Sequence, residues 1–369
     1  VTNATKDTAN SGVIRVTRRL CRELQNYVKP IFVVWKSDLE TYVLPTKTEY
    51  WQLSQFNGPI IDDSSSCSGD QKISLSDYLK KLEPALTWLL LTETIHEVNG
   101  KLIRNYAHKN NIYLAAIFYD AIPIIQPDLC KDKIIFENHA HYMRGLSYCN
   151  LIVPISEFSK CCLENFWKQE GLVGGDVKTN PLPGEFSGSF RSERSKDLPD
   201  NKIKILCVST LEPRKNHYQL IYACQFLEAK YPQLNWSLTL VGNRYAGGDD
   251  IAEFVQRSCQ ETPHICWLGV VDDAALHKLY AQCTFTVYPS IIEGFGMPIM
   301  ESLWHGQPCI CYEQGVMAEI AAQGGCLTTD VTQAEKLAEA IYRLATDHDL
   351  YAQLSHEAIS RYIKTWDEY

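Results

Sequence analysis

Two glutamates, Glu293 and Glu301, flank the glycine-broken apolar stretch "IIEGFGMPIMESL" (291–303). Packing alone seldom asks for acids on both sides of such a run. The preceding "TFTVYPS" reads as a buried strand, which makes "IIEGFG" its exit loop, and Pro298 suits the first position of a following helix. A helix N-terminus presents unpaired N–H groups, and glycines ahead of it let the backbone approach a ligand closely; together these suit a diphosphate. Glu293 in the loop and Glu301 early in the helix project toward the same mouth. A carboxylate beside a phosphate is repelled, so these acids are better suited to accept hydrogen bonds from sugar and ribose hydroxyls. The competing structural reading gives Glu301 a favourable helix-dipole contact and leaves Glu293 solvated.

The stretch "STLEPRKNH" (209–217) carries charge of the opposite sign. It follows the apolar run "KIKILCV" and precedes the helical pattern "HYQLIYACQFLEAKY", so Arg214 and Lys215 stand at a strand exit and aim two cations at the same mouth. There they would offset the charge of a departing diphosphate. The plainer alternative is an exposed basic turn. His139 and His141 do not read as a metal site, because side chains two apart on a helix point apart. Asp347 and Asp349 fall between two helical patterns and read as a capping turn. No metal and no other cofactor is therefore expected.

Holding these groups requires a particular order of elements. Strand-like runs "IFVVW", "LTWLLLT", "IYLAAIFY" and "LIVPIS" alternate with helical patterns ahead of residue 179. Continuous apolar strands between helices indicate a parallel sheet covered on both faces. Segment 179–201 is rich in Pro, Gly, Ser and charge, lacks apolar periodicity and reads as a linker. Alternation restarts at "KIKILCVST" and runs through "WSLTLVG", "HICWLG" and "PCICYE" to closing helices from Gln333 onward. The expected architecture is α/β: two doubly wound, Rossmann-like parallel-sheet domains, 1–183 and 184–369, facing across a ligand cleft, with C-terminal helices able to pack back on the first domain. The length of 369 residues agrees, since single cores stop growing at about 250–300.

A formal net charge of −9 and a pI near 5.6 argue against a nucleic-acid partner, which would need a basic face. The 14 cysteines are scattered through apolar runs with no Cys-x-x-Cys spacing, and read as small buried hydrophobes of a reducing compartment. No apolar run approaches the ~18 residues of a spanning helix. The segment "GVIRVTRRLCRELQNY" sets Val13, Val16, Leu20 and Leu24 on one helical face and Arg15, Arg18, Arg19 and Arg22 on the other. Such a stripe is ordinarily a solvated surface; a peripheral membrane contact through this basic helix, 13–28, is the alternative. The opening "VTNATKDTANSG" reads as a loop after a strand, and the closing "TWDEY" as part of a helical pattern.

In order and spacing, "STLEPRKN", "LVGN", "ICWLGVVDDAALHKLYAQC", "PSIIEGFGMPIMESLWHGQP" and "TWDEY" resemble the retaining glycosyltransferases of family 4, which have the GT-B fold. The resemblance extends through "SGVIRVTRRL", "FYDAIPIIQP" and "LIVPISEFSK" and so covers nearly the whole chain. It implies that Lys215 and Arg214 meet the donor diphosphate and that Glu301 meets the ribose. Glu293, with the backbone of Gly294, Phe295, Gly296 and Met297, would take the transferred sugar and its phosphates. The turn Val271–Asp273 would line the base pocket, and Ser11 and Gly12 would form a loop near the donor phosphates. "FYDAIP" resembles the family's segment beside the reacting sugar, with Tyr119 where histidine is often found, which leaves Asp120 as the candidate for polar contact; a strand-exit Asp can equally cap a turn.

The resemblance implies a metal-independent enzyme that moves a hexose, mannose, glucose or similar, from a nucleoside diphosphate sugar to an acceptor hydroxyl with retention. A glycan or glycolipid acceptor and a cytoplasmic location, soluble or at the inner face of a membrane, go with it. The rivals are a sugar-nucleotide epimerase on a related fold and a catalytically inactive sugar-nucleotide-binding protein.

Overall fold

The computed structural model describes the chain except for residues 9, 11, 61–72, 81–85, 95–99, 130–132, 187–188, 200 and 246–247. It divides into two compact units, Val1–Pro181 with Trp366–Tyr369, and Leu182–Thr365.

In the first unit the elements run α1 (Gly12–Tyr27), β1 (Val34–Lys36), β2 (Thr41–Val43), α2 (Lys47–Ser54), α3 (Leu75–Leu79), β3 (Thr87–Leu91), α4 (Gly100–Lys109), β4 (Ile112–Phe118), α5 (Ile122–Ile125), α6 (Lys133–Leu146), β5 (Leu151–Pro154), α7 (Glu157–Glu170) and β6 (Asp176–Val177). Strands β3-β4-β5-β6 form a parallel sheet in that order. "IFVVW" departs from expectation: β1 pairs antiparallel with β2, outside that sheet. A 3-10 turn at Ser37–Leu39 and Glu40 at φ 46 reverse the chain, so the strand pairs locally.

The basic stripe on α1 is also corrected. Arg18 is 0% exposed and donates to the carbonyls of Ala4 (3.2 Å) and Asp7 (2.6 Å), while Arg19 pairs with Glu23 one turn on. The N-terminal turns cover Arg18 alone of the four; Arg15, Arg19 and Arg22 are half-buried. Among the described residues, no helix is long and apolar enough to cross a membrane.

In the second unit come β7 (Ile203–Val208), a 3-10 turn (Pro213–Lys215), α8 (His217–Lys230), β8 (Trp236–Val241), α9 (Asp249–Glu261), β9 (Ile265–Trp267), α10 (Asp273–Gln282), β10 (Phe285–Tyr288), α11 (Met297–Trp304), β11 (Cys309–Tyr312), α12 (Gly315–Ala321), β12 (Cys326–Thr329), α13 (Ala334–Thr346) and α14 (His348–Ser360). The sheet is parallel throughout, ordered β12-β11-β10-β7-β8-β9. Its strands are apolar on both faces: Ile205, Leu238, Phe285 and Ile310 are essentially inaccessible and pack with Leu220, Ile221, Val255, Leu337 and Ile341 of the helices. Each such side chain contributes about 1.5–3 kcal/mol when fully buried. Cys207, Cys224, Cys309 and Cys311 sit in this core as free thiols, and burial pushes Cys207 up to about 12. Asp347 caps α14 by accepting from the Leu350 N–H at 3.0 Å.

The stretch 179–201 is not a free linker. Leu182, Phe186 and Leu198 are buried, Arg191 donates to the carbonyls of Ala358 and Ile359, and the Ser192 N–H donates to Trp304 O at 3.0 Å. Three anchoring apolar residues without periodicity leave no local signature, so most of the segment belongs to the second unit. Helices α13 and α14 pack within that same unit, against α8 and α11. The closing "TWDEY" is a turn rather than helix.

Candidate functional site

Strand order in the second unit reverses between β7 and β10, which are neighbours although 70-odd residues separate them. Open parallel sheets bind ligands at such a reversal, outside the strand carboxyl ends. The β7 exit carries Arg214 and Lys215, and the β10 exit carries Glu293. The two loops are stitched together by the Arg214 carbonyl, which accepts from the Ile291 N–H (2.9 Å) and lies 3.1 Å from the Ser290 hydroxyl oxygen. Asn216 closes the turn in the left-handed region at φ 60, a conformation asparagine tolerates, and its side chain donates to Val331 O at 2.8 Å.

Glu293 is 8% exposed and fully engaged. One carboxylate oxygen, Oε2, accepts from Arg214. The other, Oε1, accepts from Lys215, from the Tyr288 hydroxyl at 2.8 Å and from Ser290 at 2.5 Å. Lys215 also donates to the Tyr288 oxygen at 2.7 Å, and Arg214 pairs with Glu212 at 2.7 Å. Two acids and two bases thus form one nearly buried, charge-balanced cluster. This corrects the picture of Glu293 as a carboxylate open to sugar hydroxyls: its nearest partners are the two cations assigned to a diphosphate.

Burial disfavours the Glu293 charge, but Lys215 and Arg214 outweigh it and hold the acid at about 2. Burial opposes the Arg214 charge as well, yet Glu293 and Glu212 raise the guanidinium above its ordinary value. Burial lowers Lys215, with Glu293 restoring part of the loss and Arg214 deepening it. The carboxylate is ionised, because two cations and two hydroxyl donors surround it.

Next to the cluster, α11 begins at Met297 after Gly296, with Pro298 in the second helical position rather than the first. Gly296 has φ 153, and a Cβ there would stand 3.1 Å from Ile320 Cδ1, so only glycine fits the turn into the helix. Gly294 and Phe295 are buried in the loop. Glu301, one turn into α11, is 3% exposed and accepts from the Tyr280 hydroxyl at 2.9 Å. Val271 is half-buried and Asp273 exposed at the start of α10, where Asp272 caps the helix by accepting from Ala275 N–H at 2.7 Å.

In the first unit Asp120 stands at the β4 exit. Its carboxylate accepts from the Ile122 N–H at 3.0 Å, which is the turn-forming role. Tyr119 is buried, with its hydroxyl donating to Thr92 O at 2.7 Å, so it is occupied in the core. His139 is buried with Nε2 2.9 Å from the Asp120 carbonyl oxygen, whereas His141 is exposed, so the two diverge. Gly12 is exposed at the start of α1; Ser11 lies outside the described residues.

Sequence reasoning missed Tyr288, Ser290, Glu212 and Tyr280. Tyr288 and Tyr280 looked like ordinary apolar positions of a strand and a helix; a hydroxyl-bearing residue at a strand's last position, two before a polar loop, is the signal that points to Tyr288.

Each unit carries a parallel sheet with helices between its strands, as the GT-B class of fold does; among the described strands only the second unit's order reverses. Residues 189–361 match the sequence model described as glycosyl transferases group 1. The O-antigen chain mannosyltransferase B of Escherichia coli is 34% identical over 142 residues, 38% of this chain and 36% of that protein. The chain thus spans about a third of that curated relative's length. Among solved structures, the Anabaena protein HepE in complex with UDP and glucose superimposes with a TM-score of 0.57 at 17% identity, over 74% of this chain and 72% of that one. Sucrose-phosphate synthase of Thermosynechococcus elongatus gives 0.59 at 18%, over 77% and 70%. At such identities the structural likeness carries the fold alone.

Proposed function

We propose that the chain is a retaining hexosyltransferase that moves mannose, glucose or a similar sugar from a nucleoside diphosphate donor to an acceptor hydroxyl, in polysaccharide or glycolipid assembly. The observation that carries this reading is the Arg214–Lys215–Glu293 cluster at the strand-order reversal, beside the N-terminus of α11. Support for the sugar and the setting comes from the O-antigen mannosyltransferase relative, and for a nucleoside diphosphate from the UDP-bound Anabaena structure. Lys215, Arg214 and the α11 N–H groups would stabilise the leaving diphosphate, each such donor being worth about 3 kcal/mol. Glu301 would hold the ribose, and the departing phosphate would take the acceptor proton, so that neither a metal nor a protein nucleophile is needed. Gly294, Phe295, Gly296 and Met297 offer backbone groups to donor phosphates, and the Val271–Asp273 turn offers them to the base. Asp120, Ser11 and Gly12 remain the first unit's candidates for donor and acceptor contact.

The test is a thermal-shift ranking of UDP, GDP, dTDP and ADP sugars, followed by incubation of the best donor with and without glycan acceptors. Transfer to acceptor that is lost in Lys215→Met supports the reading. Epimerised donor in the absence of acceptor, or transfer undiminished in Lys215→Met, overturns it.

A further inference from the structure

Beneath Glu301 lies a polar stack that the reading above does not use. His305, the residue that ends α11, is 4% exposed, and its Nδ1 is 2.8 Å from the Glu301 carbonyl oxygen. Its Nε2 is 2.7 Å from Nδ1 of His277 on α10. The His305 ring lies flat on Tyr280, with centroids 5.2 Å apart and planes at 11°. The Tyr280 hydroxyl in turn donates to Glu301 Oε2. Phe186 closes the stack edge-on to both Tyr280 and His305.

The chemistry of the partners fixes every proton in this chain. A carbonyl only accepts, so His305 Nδ1 carries the hydrogen and donates to Glu301 O. A neutral imidazole then has an acceptor at Nε2, so His277 Nδ1 is the donor to it. Tyr280 faces a carboxylate and donates. Hydrogen bonds therefore run from His277, which is half-buried, through His305 to the Glu301 backbone, and a separate one runs to the Glu301 carboxylate from Tyr280, on which His305 is stacked. Glu301 is held at its carbonyl by His305 and at its carboxylate by Tyr280, on which the His305 ring rests.

We propose that His277 and His305 are positioning residues for donor binding: through Tyr280 they set the direction in which Glu301 presents its carboxylate. The inference rests on the reading that Glu301 meets the nucleotide. His277→Leu removes the donor and leaves His305 Nε2 unmatched, so the imidazole can turn and loosen Tyr280. His277→Asn can return an N–H to the Nδ1 position.

The experiment measures UDP and GDP affinity by calorimetry for the whole chain and for Glu301→Gln, His277→Leu, His277→Asn and the double variant Glu301→Gln/His277→Leu. Donor KM and kcat are followed in parallel. The expected result is a roughly three- to tenfold loss of affinity in His277→Leu, seen more in KM than in kcat, with recovery in His277→Asn. The double variant should lose little beyond Glu301→Gln alone. If Glu301→Gln leaves affinity unchanged, the reading of Glu301 fails and the inference with it. If Glu301→Gln weakens binding while His277→Leu lowers only the melting temperature, or Asn does not restore affinity, the positioning role is overturned and the reading stands.

Discussion

At the scale of the residue, Glu293 decides how the site works. Both of its oxygens are taken by Arg214, Lys215, Tyr288 and Ser290, so the carboxylate and a diphosphate would compete for the same two cations. Removing the charge while keeping the shape should therefore free the cations. Glu293→Gln is expected to tighten UDP or GDP binding several-fold, read by calorimetry; weaker nucleotide binding would contradict the competition. Glu293→Ala is expected to cost about 3 kcal/mol of stability in a denaturant melt, because truncation leaves buried cations without their partner. The residue types were legible in the sequence: two cations at one strand exit and an acid at another. Their pairing was not, since nothing local to Lys215 reports a carboxylate 78 positions away.

At the scale of the element, the entry to α11 and the underside of α1 make separate demands. Gly296 sits at φ 153 with Ile320 and Ile299 packed where a side chain would begin. Gly296→Ala should introduce about 1–3 kcal/mol of strain and displace the first turn of α11, lowering both the melting temperature and the affinity for UDP or GDP. An unchanged affinity would show that the N-terminus of α11 does not meet the nucleotide. On α1, Arg18 supplies donors to the carbonyls of Ala4 and Asp7. Arg18→Leu is expected to destabilise by about 1–3 kcal/mol, measured by the urea midpoint, because buried carbonyls lose their partner; a surface arginine would move it far less. Helix periodicity placed α1 correctly, yet it could not distinguish an arginine facing water from one facing the coil that folds back over it.

At the scale of the whole molecule, acid stability follows from buried histidines. Burial, with Lys215 adding to it, holds His217 at about 3. Burial holds His305 at about 4, the Glu301 carbonyl opposing and His277 and Lys196 assisting. Tyr280, packed on His305, stays protonated, since burial and Glu301 raise it well above the usual tyrosine value. Both histidines are thus neutral when folded, while the unfolded chain takes up protons from about pH 6.5 downward, so the unfolded state binds more protons and stability falls with falling pH. That contribution is complete above about pH 6.5 and is progressively lost toward pH 4 and below. Glu293 adds to the loss in a lower window: its ordinary value is 4.5 and its folded value about 2, so its contribution is present above pH 4.5 and fades as pH falls through 2. The urea midpoint should be level above pH 7 and drop between pH 6.5 and 4, and His305→Gln should flatten part of that slope. A midpoint unchanged from pH 7 to 5 would contradict the assignment.

The sequence by itself determined the class of architecture and which charged segments stand at the strand exits. Unbroken apolar runs such as "ILCV" and "FTVY" between helical patterns can be buried only in parallel sheets covered on both faces, and the charged and glycine-rich segments fall at their exits. Those signals are local, because side-chain periodicity is set within a few residues. What the tertiary structure alone decided is adjacency. The order β12-β11-β10-β7-β8-β9 brings the β7 and β10 exits together, turning Arg214, Lys215 and Glu293 into one cluster, and it sets His277 against His305. Strand neighbours are chosen by packing of the whole sheet, and a hydrogen bond between distant segments leaves no pattern in either of them.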